Sequence, residues 1–451
     1  MNPKKEKLFA LMTAACLSAG LMAQPAAAAT PTIPENWKNT FSDVKGDEWF
    51  VPAIAVLNDA GVMNGTPEGK FLPYGLVDAG QAILLIDKAV GMDQGPLEAR
   101  PGDPHYASRA VKYAVKYGWV KQSEVPEDLN TPVTRLYIST LAAKALGLKP
   151  VKGQSPFADL DDGYVTALYQ KGLVGGSEEN GKLLFNPNGN LTRVEISAMI
   201  CNIMDYMEDH IYYLGKVMEM DPAVPVFSYD KSAFARKGQK MTYSGSGYQT
   251  SWGIDVSHHQ QEIDWQAVAN DGVDFAIVRA AGRGYGAEGN LYEDSRVHQN
   301  LQGALDAGLE VGTYFFSQAI TVEEAREEAA MLLDLIKDYP ITGPVVFDSE
   351  DNWGTRGRTH FLTPAQLSEI ANAFCEEVEK AGYQPMIYFN RQLAYRNYDL
   401  GQVAQYPFWL AEYENEPSFR YHFDMWQYTS SGKVKGINGK VDMNLWLKPI
   451  P

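Results

Sequence analysis

The chain is poor in cysteine: its 451 residues include only Cys16, Cys201 and Cys375. Cys16 falls in a leader expected to be removed, and the other two are expected in different domains as core thiols. That excludes the small exported fold stapled by disulfides. Positive charge is also short, with 39 Lys and Arg against 56 Asp and Glu and a formal net charge of −17. Such a balance argues against a surface that tracks nucleic-acid phosphates. Beyond the leader no apolar run is long enough to span a bilayer, so the mature chain is expected without a membrane span. No Gly-x-Ser-x-Gly elbow and no cysteine with a nearby base is apparent, which leaves little room for a serine or thiol nucleophile. His258 and His259 are adjacent, and on a strand they would point apart and could not easily share a metal ion; no metal or cofactor is expected. Gly284-Tyr285-Gly286-Ala287-Glu288-Gly289 fits a dinucleotide glycine pattern, but the following Asn290-Leu291-Tyr292-Glu293 does not open a helix.

What is present begins with a leader. Lys4, Lys5 and Lys7 precede an apolar stretch from Leu8 to Met22 and the small residues Ala26 to Ala29. This is the pattern of a signal peptide over 1–29, so export is expected. Thr13 stands where a lipidated Cys16 would need an aliphatic residue, which argues against a lipid anchor. The length implies two to four domains.

From Asn36 to Met207 the pattern is helical and repeats. Phe41-Ser42-Asp43-Val44, an apolar helix, Gly61-Val62-Met63 and Phe71-Leu72-Pro73 return in order as Phe157-Ala158-Asp159-Leu160, Gly172-Leu173-Val174 and Phe185-Asn186-Pro187. Tyr106 to Leu148 keeps the two-helix rhythm with less punctuation. The order resembles the S-layer homology module, with copies expected over 36–92, 100–150 (diverged) and 154–207. Its second-helix signature stands as Leu191-Thr192-Arg193-Val194-Glu195, in part as Val133-Thr134-Arg135-Leu136-Tyr137, and is lost at Val77-Asp78-Ala79-Gly80. The resemblance implies α-helical modules that hold a secondary cell-wall polysaccharide, with Arg193 and Arg135 as contacts. A guanidinium at a helix start suits an anionic polymer. The alternative for both arginines is capping and pairing inside the helix bundle.

Residues 208–251, ending in Tyr243-Ser244-Gly245-Ser246-Gly247-Tyr248, read as a linker after a short helical or irregular stretch. From Trp252 short apolar strands alternate with helical segments. Strands are expected at 253–257, 275–280, 310–317, 345–350, 386–390, 408–413, 425–429 and 441–445. Eight strands in about 200 residues suggest a closed barrel. Thr321 with Glu324, and Thr363-Pro364 with Gln366, mark helix starts. After Asn390 helical stretches become short or absent.

Pro344-Val345-Val346-Phe347-Asp348-Ser349-Glu350 reads as a buried strand ending in two carboxylates. Alternation puts Asp348 and Glu350 on one face, their Cα atoms about 6.6 Å apart. Paired acids of this kind suit glycosidic-bond chemistry, one carboxyl holding a proton while the other stays ionised. The bland alternative is two solvated acids at a strand end. Other candidates lie on the expected strands: Asp255 with His258 near the end of the first, Asp442 on the eighth, and the aromatics Tyr314, Tyr388, Trp409 and Trp426 at comparable places. Aromatic faces around acids are what a sugar chain needs.

Here Trp252 to Trp446 resembles glycoside hydrolase family 25. The resemblance rests on Gly253-Ile254-Asp255-Val256-Ser257-His258-His259-Gln260, Val311-Gly312-Thr313-Tyr314-Phe315-Phe316-Ser317, Asp348-x-Glu350, Trp426-Gln427-Tyr428-Thr429 and Gly439-Lys440-Val441-Asp442-Met443-Asn444. It implies an irregular (β/α)5β3 TIM-like barrel over 252–449 and a lysozyme that cuts between N-acetylmuramic acid and N-acetylglucosamine in peptidoglycan. It also implies Glu350 as general acid and then base. Asp348 would be its ionised partner, as nucleophile or by orienting the substrate's acetamide. Asp255 and Asp442 would complete the acidic floor, although Asp442 could equally brace a loop. Tyr314, Tyr388, Trp409, Trp426 and His258 would contact sugar, with His259 structural. The expected whole is a secreted, wall-anchored enzyme; the other reading is a surface protein that binds wall glycan without cutting it.

Overall fold

The computed structural model describes residues 30–91, 100–350 and 357–450. The expected leader lies outside the described residues. The chain divides into two compact units between Met220 and Asp221.

The first unit contains three helix pairs: α1 (Val51–Asp59) with α2 (Ala79–Ala89), α3 (Ser108–Lys116) with α4 (Arg135–Ala145), and α5 (Gly163–Gln170) with α6 (Arg193–Glu208). Each second helix starts on a polar cap. Asp78 accepts from the Gln81 N–H at 2.7 Å, Thr134 accepts from the Tyr137 N–H at 3.2 Å, and Thr192 with Glu195 forms a capping box. Such a cap is worth about 1 kcal/mol.

The first N–H groups of a helix have no partner within it, and here they close a ring. Ala79 and Gly80 donate to Thr131 and Leu129, Arg135 and Leu136 to Gly189 and Pro187, and Arg193 and Val194 to Gly75 and Pro73. The first pair thus leans on the second, the second on the third, and the third on the first. Ile54, Ile83, Ile138, Leu141 and Ile200 meet in one buried core. Each such side chain contributes roughly 1.5–3 kcal/mol by leaving water. The repeated aspartates have a repeated task. Asp43 accepts from the N–H groups of Phe71 and Leu72, and Asp159 from those of Phe185 and Asn186. Leu72 and Asn186 both sit at φ 57°, a region that side chains other than glycine enter only with support.

The second unit is an eight-stranded barrel: β1 (Tyr248–Val256), β2 (Phe275–Arg283), β3 (Glu310–Ser317), β4 (Val345–Ser349), β5 (Pro385–Asn390), β6 (Phe408–Ala411), β7 (Met425–Gly432) and β8 (Val441–Pro449). Strands β1 to β7 pair in parallel, and β8 closes the ring antiparallel to both β7 and β1. Helices α7 (Trp265–Asn270), α8 (Val297–Asp306), α9 (Val322–Ile336), α10 (Pro364–Lys380) and α11 (Arg391–Arg396) follow β1 to β5 in turn. Among the described residues no α-helix follows α11. Thr321 caps α9, and Thr363 with Gln366 forms the capping box of α10.

Alternation decides what fills the barrel. Phe275 and Ile277, Val346, Met386 and Tyr388, Trp409, Met425 and Trp446 pack together inside, with Tyr314 against them. Gly253 is required at its level, because a Cβ there would come within 2.4 Å of the Phe275 ring.

The expected linker over 208–251 is corrected. His210–Tyr213 and Lys216–Glu219 pair as a hairpin in the first unit, and Phe234–Lys237 and Lys240–Tyr243 pair as a hairpin in the second. Glycine and serine around 244–247 signal flexibility, but the aromatic residues beside them override it. Tyr229 lies 5.6 Å from Tyr243 and 4.9 Å from Tyr248 by ring centroids, and Phe234 packs edge-on to Trp426. Tyr428 donates to the Gln239 carbonyl at 3.1 Å and accepts from Trp252 Nε1 at 2.7 Å. This hairpin is therefore part of the barrel's packing.

Candidate active site

Following the inward alternation toward the carboxyl ends of the parallel strands leads from apolar residues to polar ones. Gly253 gives way to Asp255, Ile277 to Arg279, Val346 to Asp348 and then Glu350, and Met425 to Gln427. On the reversed strand Trp446 gives way to Asn444 and then Asp442. Asp255, Arg279, Asp348, Glu350, Gln427 and Asp442 line one open cleft of about 280 Å³, together with Tyr314, Tyr388, Trp409 and Tyr413. That is near the lower end of the usual range for a ligand site.

The acids differ in their support. Asp255 sits opposite Asp442 in the β1–β8 register. Its Oδ2 accepts from Gln427 Nε2 at 2.9 Å and from Asn444 Nδ2 at 2.8 Å. Burial raises its pKa to about 6 against the pull of those donors and of Asp442. Asp442 is pushed to about 8, by burial first and then by the charges of Asp255 and Glu350. Glu350 is raised by burial and then by Asp255. Asp348 is raised well above the usual carboxylate range by burial, by Glu350 and by Asp255, with Arg279 opposing. Its Oδ1 is buried without a hydrogen-bond partner among the described residues. Four carboxyls so placed cannot all ionise at neutral pH. The sequence reading made Asp348 the ionised partner. Burial and the neighbouring carboxyls disfavour that anion, while Arg279 favours it.

A polar web fixes the walls. Tyr388 and Tyr413 both donate to Gln427 Oε1, at 3.1 and 2.8 Å, and Trp409 Nε1 donates to Asn444 Oδ1 at 2.9 Å. Tyr314, Tyr388 and Trp409 are thus brought to the cleft.

Two expected contacts are not. Trp426 is fully buried with its Nε1 on the Glu412 carbonyl at 2.8 Å. Alternation explains this, since Met425 and Gln427 face the interior and Trp426 faces away. His258 is not part of the cleft lining, whereas His259 is. The chain leaves β1 as a 3-10 turn over His258–Gln260, so extended alternation ends at Ser257. His258 Nδ1 instead meets Asp294 Oδ2 at 3.0 Å. The dinucleotide pattern fails for a related reason. Strand β2 returns antiparallel through Leu291–Glu293, with Arg283 Nη1 donating to the Gly289 carbonyl at 2.8 Å, so the loop opens no helix. Arg279 was missed, although a single cation within Phe275-Ala276-Ile277-Val278-Arg279-Ala280 was a readable signal. Gln427 was passed over in favour of its aromatic neighbour.

In the first unit, Arg193 lies over the Phe71 ring at 4.7 Å and donates to the carbonyls of Phe71 and Asn64 at 2.7 and 2.8 Å. Arg135 is buried, pairs with Glu195 at 3.1 Å and lies over Phe185. Both guanidiniums join one copy of the repeat to another. Among the described residues no group of His, Cys, Asp and Glu is arranged to hold a metal ion.

A barrel with acids and aromatic faces gathered at one rim has the groups that glycosidic-bond chemistry uses. The profile of glycosyl hydrolases family 25 matches residues 254–437, and that of the S-layer homology domain matches 40–83 and 161–196. The protein YegX of Escherichia coli is 31% identical over 208 residues, which cover 44% of this chain and 70% of YegX. Lysozyme M1 of Streptomyces globisporus is 28% identical over 202 residues, covering 43% of this chain and 66% of that one. Among solved structures, the modular autolysin LytC of Streptococcus pneumoniae aligns with a TM-score of 0.41 at 23% identity, over 52% of this chain and 56% of LytC. The chain belongs to family 25 of the glycosyl hydrolases and carries S-layer homology domains.

Proposed function

We propose that this chain is a secreted, cell-surface lysozyme that hydrolyses the β-1,4 bond between N-acetylmuramic acid and N-acetylglucosamine in peptidoglycan, on an irregular (β/α)5β3 barrel. The observation that carries this is the meeting of Asp255, Asp348, Glu350 and Asp442 in one aromatic-walled cleft. Glu350, its pKa raised, gives its proton to the glycosidic oxygen as the bond to the sugar carbon breaks. As a carboxylate it then takes a proton from the water that adds at that carbon. Asp348, which lines the cleft, accepts the substrate's acetamide N–H. That contact favours its anion and leaves the shared proton on Glu350. Asp255, held by two amides, keeps the pKa of Glu350 high through its charge.

The test is digestion of purified peptidoglycan with mass spectrometry of the new reducing ends. Muramic acid ends support the proposal, glucosamine ends would mean another glycosidase, and no ends would mean a barrel that only binds.

Retention at the wall falls to the S-layer homology modules, through a secondary cell-wall polysaccharide. With a net charge of −17 the chain has no general attraction for anionic polymers. Attachment then rests on local sites such as Arg193, beside which the exposed Tyr74 lies between Pro73 and Gly75, whose carbonyls accept from Val194 and Arg193. Tethering raises the local enzyme concentration without adding a catalytic contact. Arg193→Ala is expected to reduce cosedimentation with purified walls; unchanged cosedimentation would count against this site.

A further inference from the structure

Among the described residues Arg279 is the one guanidinium in the cleft lining, beside four carboxyls, and the mechanism above gives it no task. It stands on β2 opposite Tyr314 of β3, one step further along the barrel interior than Ile277. It is held from behind. Its Nε donates to Asp294 Oδ2 at 2.7 Å, its Nη2 lies 2.7 Å from the same oxygen, and Nη2 also meets His258 Nδ1. Asp294 is itself only 1% exposed and also accepts from the backbone N–H groups of His258 and Arg296. Asp294 is therefore a fixed anion that orients the guanidinium plane. Its pKa is lowered by those same donors against the opposing effect of burial. Among the described residues Nη1 has no hydrogen-bond partner, and the residue borders the open cleft.

A buried cation locked by a dedicated counter-ion outside the catalytic acids is arranged to be offered to something else. Among the described lining residues the acids are Asp255, Asp348, Glu350 and Asp442, so a substrate carboxyl oxygen is drawn to this guanidinium. The two sugars of peptidoglycan differ in one such group, the 3-O-lactyl ether of the muramyl residue. Its carboxyl is either free or joined to peptide as an amide, and a guanidinium donates to both forms.

We propose that Arg279 is a specificity-determining residue that receives the lactyl carboxyl oxygen of the muramyl sugar, with Asp294 as its positioning partner. This rests on the muramidase reading and adds the contact by which a muramyl residue is told from glucosamine. A lysine at 279 would keep the charge and its pairing with Asp294 while losing the fork.

The experiment measures binding by titration calorimetry on the full chain carrying Glu350→Gln, so that no turnover intervenes. Three tetrasaccharides are compared: a peptide-stripped muramyl glycan with free lactyl carboxylates, the same glycan with peptide attached, and chitotetraose, which has no lactyl group. Adding Arg279→Lys is expected to weaken the stripped muramyl glycan by about tenfold or more, the ordinary size of one charge-assisted contact. The peptide-bearing glycan should lose less, and chitotetraose should change by less than about twofold. The double change Arg279→Met with Asp294→Asn, which leaves no unpaired buried carboxylate, should give the same ranking. Equal losses on all three glycans, or none on the muramyl pair, would overturn the proposal. The reducing ends released by the unmodified chain report separately on the muramidase reading. Glucosamine ends with lactyl discrimination intact would fail only that reading, and muramic ends without discrimination would fail only this one.

Discussion

In the helical unit Asp87 of α2 is fully buried, neither of its oxygens has a hydrogen-bond partner among the described residues, and burial pushes its pKa to about 9. In the barrel Asp255 and Asp348 are nearly as buried, at 7% and 5% exposure, and their pKa values are also raised. A buried acid with a raised pKa is thus common to both units and does not by itself mark a site. The barrel acids converge on an open cleft walled by aromatic rings, and each disturbs the ionisation of the next. Asp87 is raised by desolvation alone. The arginines differ in the same way. Arg135 and Arg193 tie repeat to repeat, whereas Arg279 borders a cavity.

The comparison is broken most severely at Glu350. Glu350→Gln is expected to lower peptidoglycan turnover by about 10³-fold, within the range for a lost general acid, with its thermal midpoint unchanged. Persistent turnover would mean that the acid has been misassigned.

Asp255→Asn sharpens the electrostatic side. Removing that anion removes a charge that disfavours ionisation of Glu350, so the pKa of Glu350 falls. The alkaline limb of the pH profile of kcat should then move to lower pH by about one unit. A limb that stays in place, with only a lower maximum, would show that Asp255 does not tune Glu350.

The third test sets the two kinds of buried acid side by side. The folded pKa of Asp87, about 9, lies above its unfolded value, so its contribution to stability is complete below about pH 4 and is lost as pH rises through about 9. Asp87→Asn should therefore stabilise the first unit by ~2–3 kcal/mol at neutral pH and flatten this pH dependence, leaving turnover unaltered. Asp348→Asn should also stabilise its unit while losing about 10²-fold in turnover, the usual trade at a strained site. Thermal unfolding followed across pH, with turnover assays of both variants, reads the contrast. If Asp87→Asn also lowers turnover, the separation of roles fails.

Much of the fold was legible because it rests on local period and punctuation. The expected strand over 310–317 coincides with β3, and the cap at Thr363 with Gln366 stands as read. The first strand was expected from Gly253 and begins at Tyr248, because Gln249-Thr250-Ser251 carries no apolar signal and is held by pairing with β8. The 208–251 segment was misread for the same reason, its hairpins depending on aromatic partners far along the chain. Trp426 drew attention as an aromatic in a motif, but its register sent it outward and Gln427 inward. His258 was placed by an alternation that a 3-10 turn had already ended.

The sequence by itself determined the repeat and the eight apolar strands and put forward the candidate acids, since these depend on residue type and spacing along a few turns or strands. Only the tertiary structure decided which carboxyl goes without a donor, which histidine borders the cleft and which arginine reaches it. Those depend on burial and on partners 15 to 190 residues away, and ionisation in a low-dielectric cleft is set by what surrounds a group rather than by what precedes it.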